Sequence, residues 1–140
     1  MKRISNNCKL NINKRIFEDA EKSYSISIRA EIKEFLENNS GGYPVKDVIV
    51  SDGEEYEVRV FMSLDASDDN YYIQKPMDYF LKKTKGKIVP IGIDSGDNYY
   101  CVNNETGKVY YWSAGEDSYY CIAESVSYTH LRAHETGRNL

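Results

Sequence analysis

Apolar positions in the first third of the chain recur at helical spacing. Ile12, Ile16, Phe17 and Ala20 predict a first helix over about residues 13–22. Ile28, Ile32, Phe35 and Leu36 sit at i, i+4, i+7 and i+8, a single stripe that predicts a second helix over about residues 27–38. Ser27 suits the N-cap, where a hydroxyl accepts from a backbone N–H with no partner inside the helix. Asn39-Ser40-Gly41-Gly42 is a stop signal, with glycine available for the left-handed position that ends many helices. Pro44 then keeps the residue before it extended.

The rest of the chain alternates as strands do. Residues 45–50 are short and apolar. After the turn Ser51-Asp52-Gly53, residues 55–62 read as one strand with a wet face. Tyr56, Val58, Val60 and Met62 would share its apolar side, and Glu55, Glu57 and Arg59 its polar side. An acidic loop follows with Asp65, Asp68 and Asp69; it lacks the glycine and distal glutamate of a calcium loop and reads as solvated. Pro76 fits the first position of a third helix, with Met77, Phe80, Leu81 and Thr84 as its buried stripe and Gly86 as its end. Four strands are expected over residues 87–93, 98–102, 108–112 and 119–123. Short Asp-, Asn-, Gly- and Ser-rich connections make them hairpins. The expectation is a single α+β domain, with a mainly antiparallel sheet of about five or six strands and helices packed on one face.

Composition narrows the function. The chain carries 18 Lys+Arg against 22 Asp+Glu. No basic stripe is visible, which argues against nucleic acid. Lys82, Lys83, Lys85 and Lys87 cluster at a helix end, where cations complement the dipole. No apolar run reaches membrane-spanning length, and Met1-Lys2-Arg3 leads into polar Asn6-Asn7 rather than a signal peptide core. Cys8, Cys101 and Cys121 show no metal or redox spacing, so a reduced, cytoplasmic setting is expected. Cys101 and Cys121 fall on strands and are expected to pack as small apolar residues. Of the 13 tyrosines, eight stand in the pairs Tyr71-Tyr72, Tyr99-Tyr100, Tyr110-Tyr111 and Tyr119-Tyr120. On a strand each pair would place one ring inward and one toward solvent or a partner. A tyrosine-rich sheet with no interface role explains the pairs equally well.

The C-terminal stretch Val-Ser-Tyr-Thr-His-Leu-Arg-Ala-His-Glu-Thr, residues 126–136, resembles a translated sequencing adapter. Read as GTC TCT TAT ACA CAT CTC, its opening codons match a transposase mosaic end. Residues 126–140 are therefore expected to be a non-native tail, and residues 1–125 one C-terminally truncated domain. Such a tail, without apolar periodicity, should be poorly ordered, or at best a frayed turn, and cheap to delete. Apolar surface near Tyr119, Cys121 and Ile122 should be left more exposed. Both histidines, His130 and His134, lie in this tail, so residues 1–125 lack the usual neutral-pH general base. A His-dependent nucleophile or zinc site is not expected there. No enzyme, cofactor or metal is expected.

Several short motifs occur in a suggestive order. Ile28, Ile32, Phe35 and Leu36 lead into residues 39–42, a helix followed by Asn and Gly-Gly. Ile91-Gly92 precedes Gly96-Asp97. Thr106-Gly107-Lys108-Val109-Tyr110 is followed by Trp112, and Ile122-Ala123-Glu124-Ser125 comes next. Over about residues 25–125 this order resembles the SUKH superfamily, which holds the fungal Smi/Knr cell-wall regulators and many bacterial immunity proteins. Ser113 stands where that family often has an acidic residue after the tryptophan, and the family's closing helix is missing. The glycines also have plain structural uses in turns, and Trp112 serves equally as a core anchor.

The resemblance implies a monomeric immunity protein that binds and neutralises a basic polymorphic or contact-delivered protein toxin, often a nuclease. The alternative it implies is a Smi/Knr-like regulatory scaffold binding endogenous signalling proteins. Candidate partner-binding residues are Asp94, Asp97, Glu116 and Asp117 in loops, with Tyr99, Tyr111 and Tyr119 on the sheet. An acidic, tyrosine-bearing surface complements a basic active site. The same acids would equally keep a plain domain soluble.

Overall fold

The computed structural model describes residues 15–134. Among them are helices α1 (Arg15–Tyr24), α2 (Ala30–Asn39) and α3 (Gln74–Thr84). The strands are β1 (Val48–Ser51), β2 (Glu54–Glu57), β3 (Val60–Phe61), β4 (Ile88–Ile93), β5 (Tyr99–Asn103), β6 (Val109–Ser113) and β7 (Ser118–Ala123). A 3-10 turn (Val126–Thr129) follows β7. β1 and β2 form a two-stranded sheet. β3-β4-β5-β6-β7 form a five-stranded antiparallel sheet in chain order. The fold is α+β with a mainly antiparallel sheet, as the hydrophobic pattern implies.

Strand alternation divides the sheet's side chains between two clusters. Tyr100, Val102 and Val109 join the larger one, with Ile32, Phe35 and Leu36 of α2. Cys101 and Trp112, one residue out of phase, join Ile88 and Phe80 in a smaller one. α3 serves both, sending Met77 and Leu81 to the first and Phe80 to the second.

The helix ends are held by remote groups more than by local caps. α2 starts at Ala30, and Ser27 does not cap it: its carbonyl instead accepts from the Asn104 side chain at 2.9 Å. The same Asn104 accepts the Arg29 N–H at 2.9 Å, and Glu21 of α1 accepts the Ile28 N–H at 2.8 Å. That contact holds the Glu21 carboxyl below its usual pKa. At the other end of α2, Gly41 takes the left-handed backbone with φ 67°, as the stop signal implies. Pro76 is the third residue of α3 rather than the first; it still lies in the turn where backbone N–H groups lack helical acceptors. Left-handed Lys85 and Gly86 end α3, and the Gly86 N–H returns to the Leu81 carbonyl at 2.8 Å.

Two larger expectations fail as well. The alternating stretch 55–62 is not one strand. β2 pairs with β1, then the chain turns a corner and β3 pairs with β4. At the corner the Val58 N–H bonds to the Asp47 carbonyl and the Arg59 N–H to the Ile93 carbonyl. Phe61, out of phase with the apolar set, is therefore fully buried edge-on against Phe35, with ring centroids 5.3 Å apart. A change of backbone partner, invisible in side-chain periodicity, overrides the pattern.

The expectation of a poorly ordered tail, or at best a frayed turn, fails for residues 126–134, which include a 3-10 turn packed against the core. Val126, Thr129 and Leu131 are buried, and Val126 and Leu131 belong to the main cluster. Ala133 bridges Pro44 as an antiparallel partner. Two apolar anchors and a short main-chain ladder suffice to seat the segment without a repeating stripe. Ile122 is correspondingly buried, while Cys121 is exposed rather than packed as a small core residue. Cys8 and residues 135–140 lie outside the described residues.

Candidate functional site

In a meander of successive hairpins, alternate turns emerge at the same end of the sheet. The β4–β5 turn carries Asp94 and Asp97, and the β6–β7 turn carries Glu116 and Asp117. Both emerge at one end and touch there: the Ala114 N–H donates to the Asn98 side-chain oxygen at 2.9 Å. The two turns that carry the four candidate acids thus share one end of the sheet. Glu57 joins them through a 2.7 Å bond from the Ser95 hydroxyl.

Their roles differ. Asp94 is a turn-builder. One carboxylate oxygen accepts the Gly96 and Asn98 N–H groups at 2.9 and 2.8 Å. The other accepts the Tyr111 hydroxyl at 2.8 Å and the Asn98 amide at 3.1 Å. Asp117 is a latch. It takes the Trp112 indole N–H at 2.9 Å and pairs with Lys83 of α3. Lys83 in turn lies 5.3 Å from the Tyr79 ring centroid and 5.6 Å from that of Trp112. The pairing draws Asp117 below and Lys83 above their ordinary pKa values. Glu116 accepts the Tyr120 hydroxyl at 2.5 Å. Asp97 is exposed and holds a left-handed backbone with φ 65°.

The candidate tyrosines are half-buried rather than displayed. Tyr99 packs against Phe80, with centroids 5.5 Å apart. Tyr111 lies between Tyr56 and Tyr100, at 5.3 and 5.2 Å. Burial, then the Asp94 contact, pushes the Tyr111 hydroxyl well above its usual pKa. Burial pushes Tyr119 up to about 12, and its hydroxyl has no hydrogen-bond partner. Because both sheet faces are packed, only Tyr120 among the paired tyrosines of the sheet is exposed. Among the described residues the exposed aromatic rings are Tyr128 at 70%, Tyr43 at 64%, Tyr79 at 48% and Tyr120 at 43%. None was among the candidates. Tyr79 was findable, since it sits beside Phe80 but off the stripe of α3.

The order of elements, the glycine-bearing turns and Trp112 at the heart of the second cluster all follow the pattern seen in the sequence. The model of the SMI1 / KNR4 family (SUKH-1) matches residues 11–129. The chain belongs to this family. No curated protein matches it. The SMI1/KNR4 match closes at Thr129, inside the adapter-like stretch and at the end of the 3-10 turn. The Thr106-Gly107 turn between β5 and β6 packs against the start of α2. A Cβ on Gly107, which has φ 82°, would lie 3.1 Å from Glu31 and 3.2 Å from Arg29 at the start of α2. Among the described residues no helix is long and apolar enough to cross a membrane.

Proposed function

We propose that this SMI1/KNR4-family domain is an immunity-type protein, which binds and neutralises a basic bacterial polymorphic or contact-delivered toxin in the cytoplasm. The observation that carries the reading is the convergence of two acidic turns, with Asp94, Asp97, Glu116 and Asp117, at one end of a rigid sheet. Such an end attracts a cationic active site at long range and presents aromatic surface beside it. Asp97, Glu116 and Tyr120 are the contact residues in this reading; Asp94, Asp117, Tyr99, Tyr111 and Tyr119 position the turns that carry them. The domain acts by occlusion and not by catalysis. Cys101, a thiol in the core, is fully buried with its pKa raised by burial.

The test is co-expression with the protein encoded immediately upstream on the same DNA. The expected result is rescue of growth and a direct complex. Its association rate should fall as salt rises, and fall about tenfold further in Asp97→Asn/Glu116→Gln. Rescue with unchanged association in that variant moves the contact elsewhere. No rescue, with capture of an endogenous signalling protein instead, favours the regulatory scaffold. Turnover of any substrate, abolished by substituting Asp94, Asp97 or Cys101, overturns the non-enzymatic reading.

A further inference from the structure

The hydrogen bonds that residues 132–134 make to the rest of the fold run through their backbone. The Val45 N–H donates to the Arg132 carbonyl at 2.9 Å, and the His134 N–H to the Tyr43 carbonyl at 2.9 Å. Pro44 and Ala133 face each other between these two bonds. That is the position in an antiparallel pair where no N–H is required, so proline costs the ladder nothing. The Ala133 N–H goes to the Asn39 side-chain oxygen at 2.6 Å. Asn39 is itself buried, and its amide N–H is anchored on the Phe35 carbonyl at 2.8 Å. The acceptor is thus fixed before the segment arrives.

Side chains are read at alternate positions only. Leu131 is buried in the main cluster, while Arg132 and His134 are exposed. Ala133 abuts Gly42: a Cβ on Gly42 would lie 2.5 Å from the Ala133 Cβ. Behind the slot, the Gly42 carbonyl accepts the Phe61 N–H at 3.0 Å and the Gly41 N–H bonds to the Met62 carbonyl at 3.1 Å. Residues 41–45 therefore cover the outer edge of β3 and offer a new edge of their own.

We propose that residues 43–45, backed by Asn39 and Gly42, form a docking slot for an extended peptide, here filled by the chain's own residues 131–134. The recognised chemistry is a branched apolar residue followed two positions later by a small one, with main-chain bonds supplying the rest. This accounts for the ordered packing of a stretch with no amphipathic pattern. It shares no residue with the acidic end and stands or falls independently of the toxin-binding reading.

The test uses the full chain carrying Ala133→Leu, whose larger side chain cannot fit against Gly42. Amide exchange at Val45, Ala133 and His134 should rise at least about tenfold, with β5 amides unchanged. A synthetic peptide of residues 127–134 should then bind this variant in trans, and bind the unsubstituted chain at least about tenfold more weakly, because its own segment competes. A peptide with leucine in place of Ala133 should bind neither. Arg132→Ala/His134→Ala should leave exchange unchanged. If Ala133→Leu also loses protection in β5, Asn39→Ala carries the test, with the same selective exposure expected at Ala133 and His134. Unchanged exchange in the variant tested, no peptide binding to Ala133→Leu, or an equal effect from the Arg132/His134 pair would overturn the slot.

Discussion

The β4–β7 meander and the seam beside β3 solve the same problem, satisfying backbone groups around one core, in opposite ways. In the meander each strand bonds to its neighbour in the chain across a short turn. In the seam, Gly42 bonds to Phe61, Val45 to Arg132 and Asn39 to Ala133. The meander is specified locally, by turn residues and strand alternation. The seam is specified by distant partners, so nothing near a given residue announces it. Local pairing also closes small loops, which costs less chain entropy than joining the two ends of the domain. The meander should therefore be the more robust half.

The largest expected effect breaks the meander. Trp112 is 7% exposed, packs edge-on to Phe80 at 5.0 Å and donates its indole N–H to Asp117. Trp112→Ala should cost about 3–5 kcal/mol, read by denaturant unfolding. Leu131→Ala in the seam leaves a cavity at the rim of the core and should cost about 2 kcal/mol, near the low end for buried leucine. A loss on Leu131→Ala equal to that on Trp112→Ala would make the seam as structural as the sheet. No loss at all would restore the expectation of a dispensable tail.

Alkali sharpens the same contrast, because five of the six perturbed tyrosines belong to the meander and only Tyr24 lies outside it. Tyr99, Tyr100, Tyr111 and Tyr119 all have raised pKa values, burial being the first cause in each. A phenol unfolded loses its proton near about pH 10. Tyr119 keeps it to about 12. In that window the folded state binds more protons than the unfolded state, so stability is complete below the first value and falls as pH rises toward the second. Tyrosinate absorbance should show a set of rings that ionise only on unfolding. Smooth ionisation of every tyrosine near pH 10, in folded protein, would mean the rings are wetter than the packing shows.

What was legible follows from this division. The four hairpin strands and α3 were found within a residue or two, because Gly86, the turn Asp94–Asn98 and the Thr106-Gly107 turn are local signals. The helical stripe of α2 was legible, but its N-terminus was not. Asn104, 75 positions from Arg29, performs the capping expected of Ser27. The corner at Val58–Arg59 and the seating of Ala133 were hidden for the same reason. At the candidate site, the placement of the four acids in the connections between strands was legible from the turn residues. Their separation into a turn-builder, a latch and exposed groups was not, since it depends on which hydroxyl, indole or ammonium each carboxylate meets.

The smallest effect tests that separation. Asp94 and Asp97 sit in one turn, three residues apart, with the same charge. Asp94→Ala strips acceptors from two turn N–H groups and from the Tyr111 hydroxyl, and should cost about 1–3 kcal/mol. Asp97→Asn should change stability by less than about 0.5 kcal/mol. Asn tolerates the left-handed backbone at this position at least as well as Asp does. In binding, the order reverses for specific causes. Asp97→Asn removes an exposed charge without disturbing the turn, so any slower association with a cationic partner is electrostatic and should vanish at high salt. Asp94→Ala should weaken binding at all salt concentrations, by loosening the turn. If both substitutions show the same salt-sensitive loss, Asp94 meets the partner directly and its turn-building role is secondary.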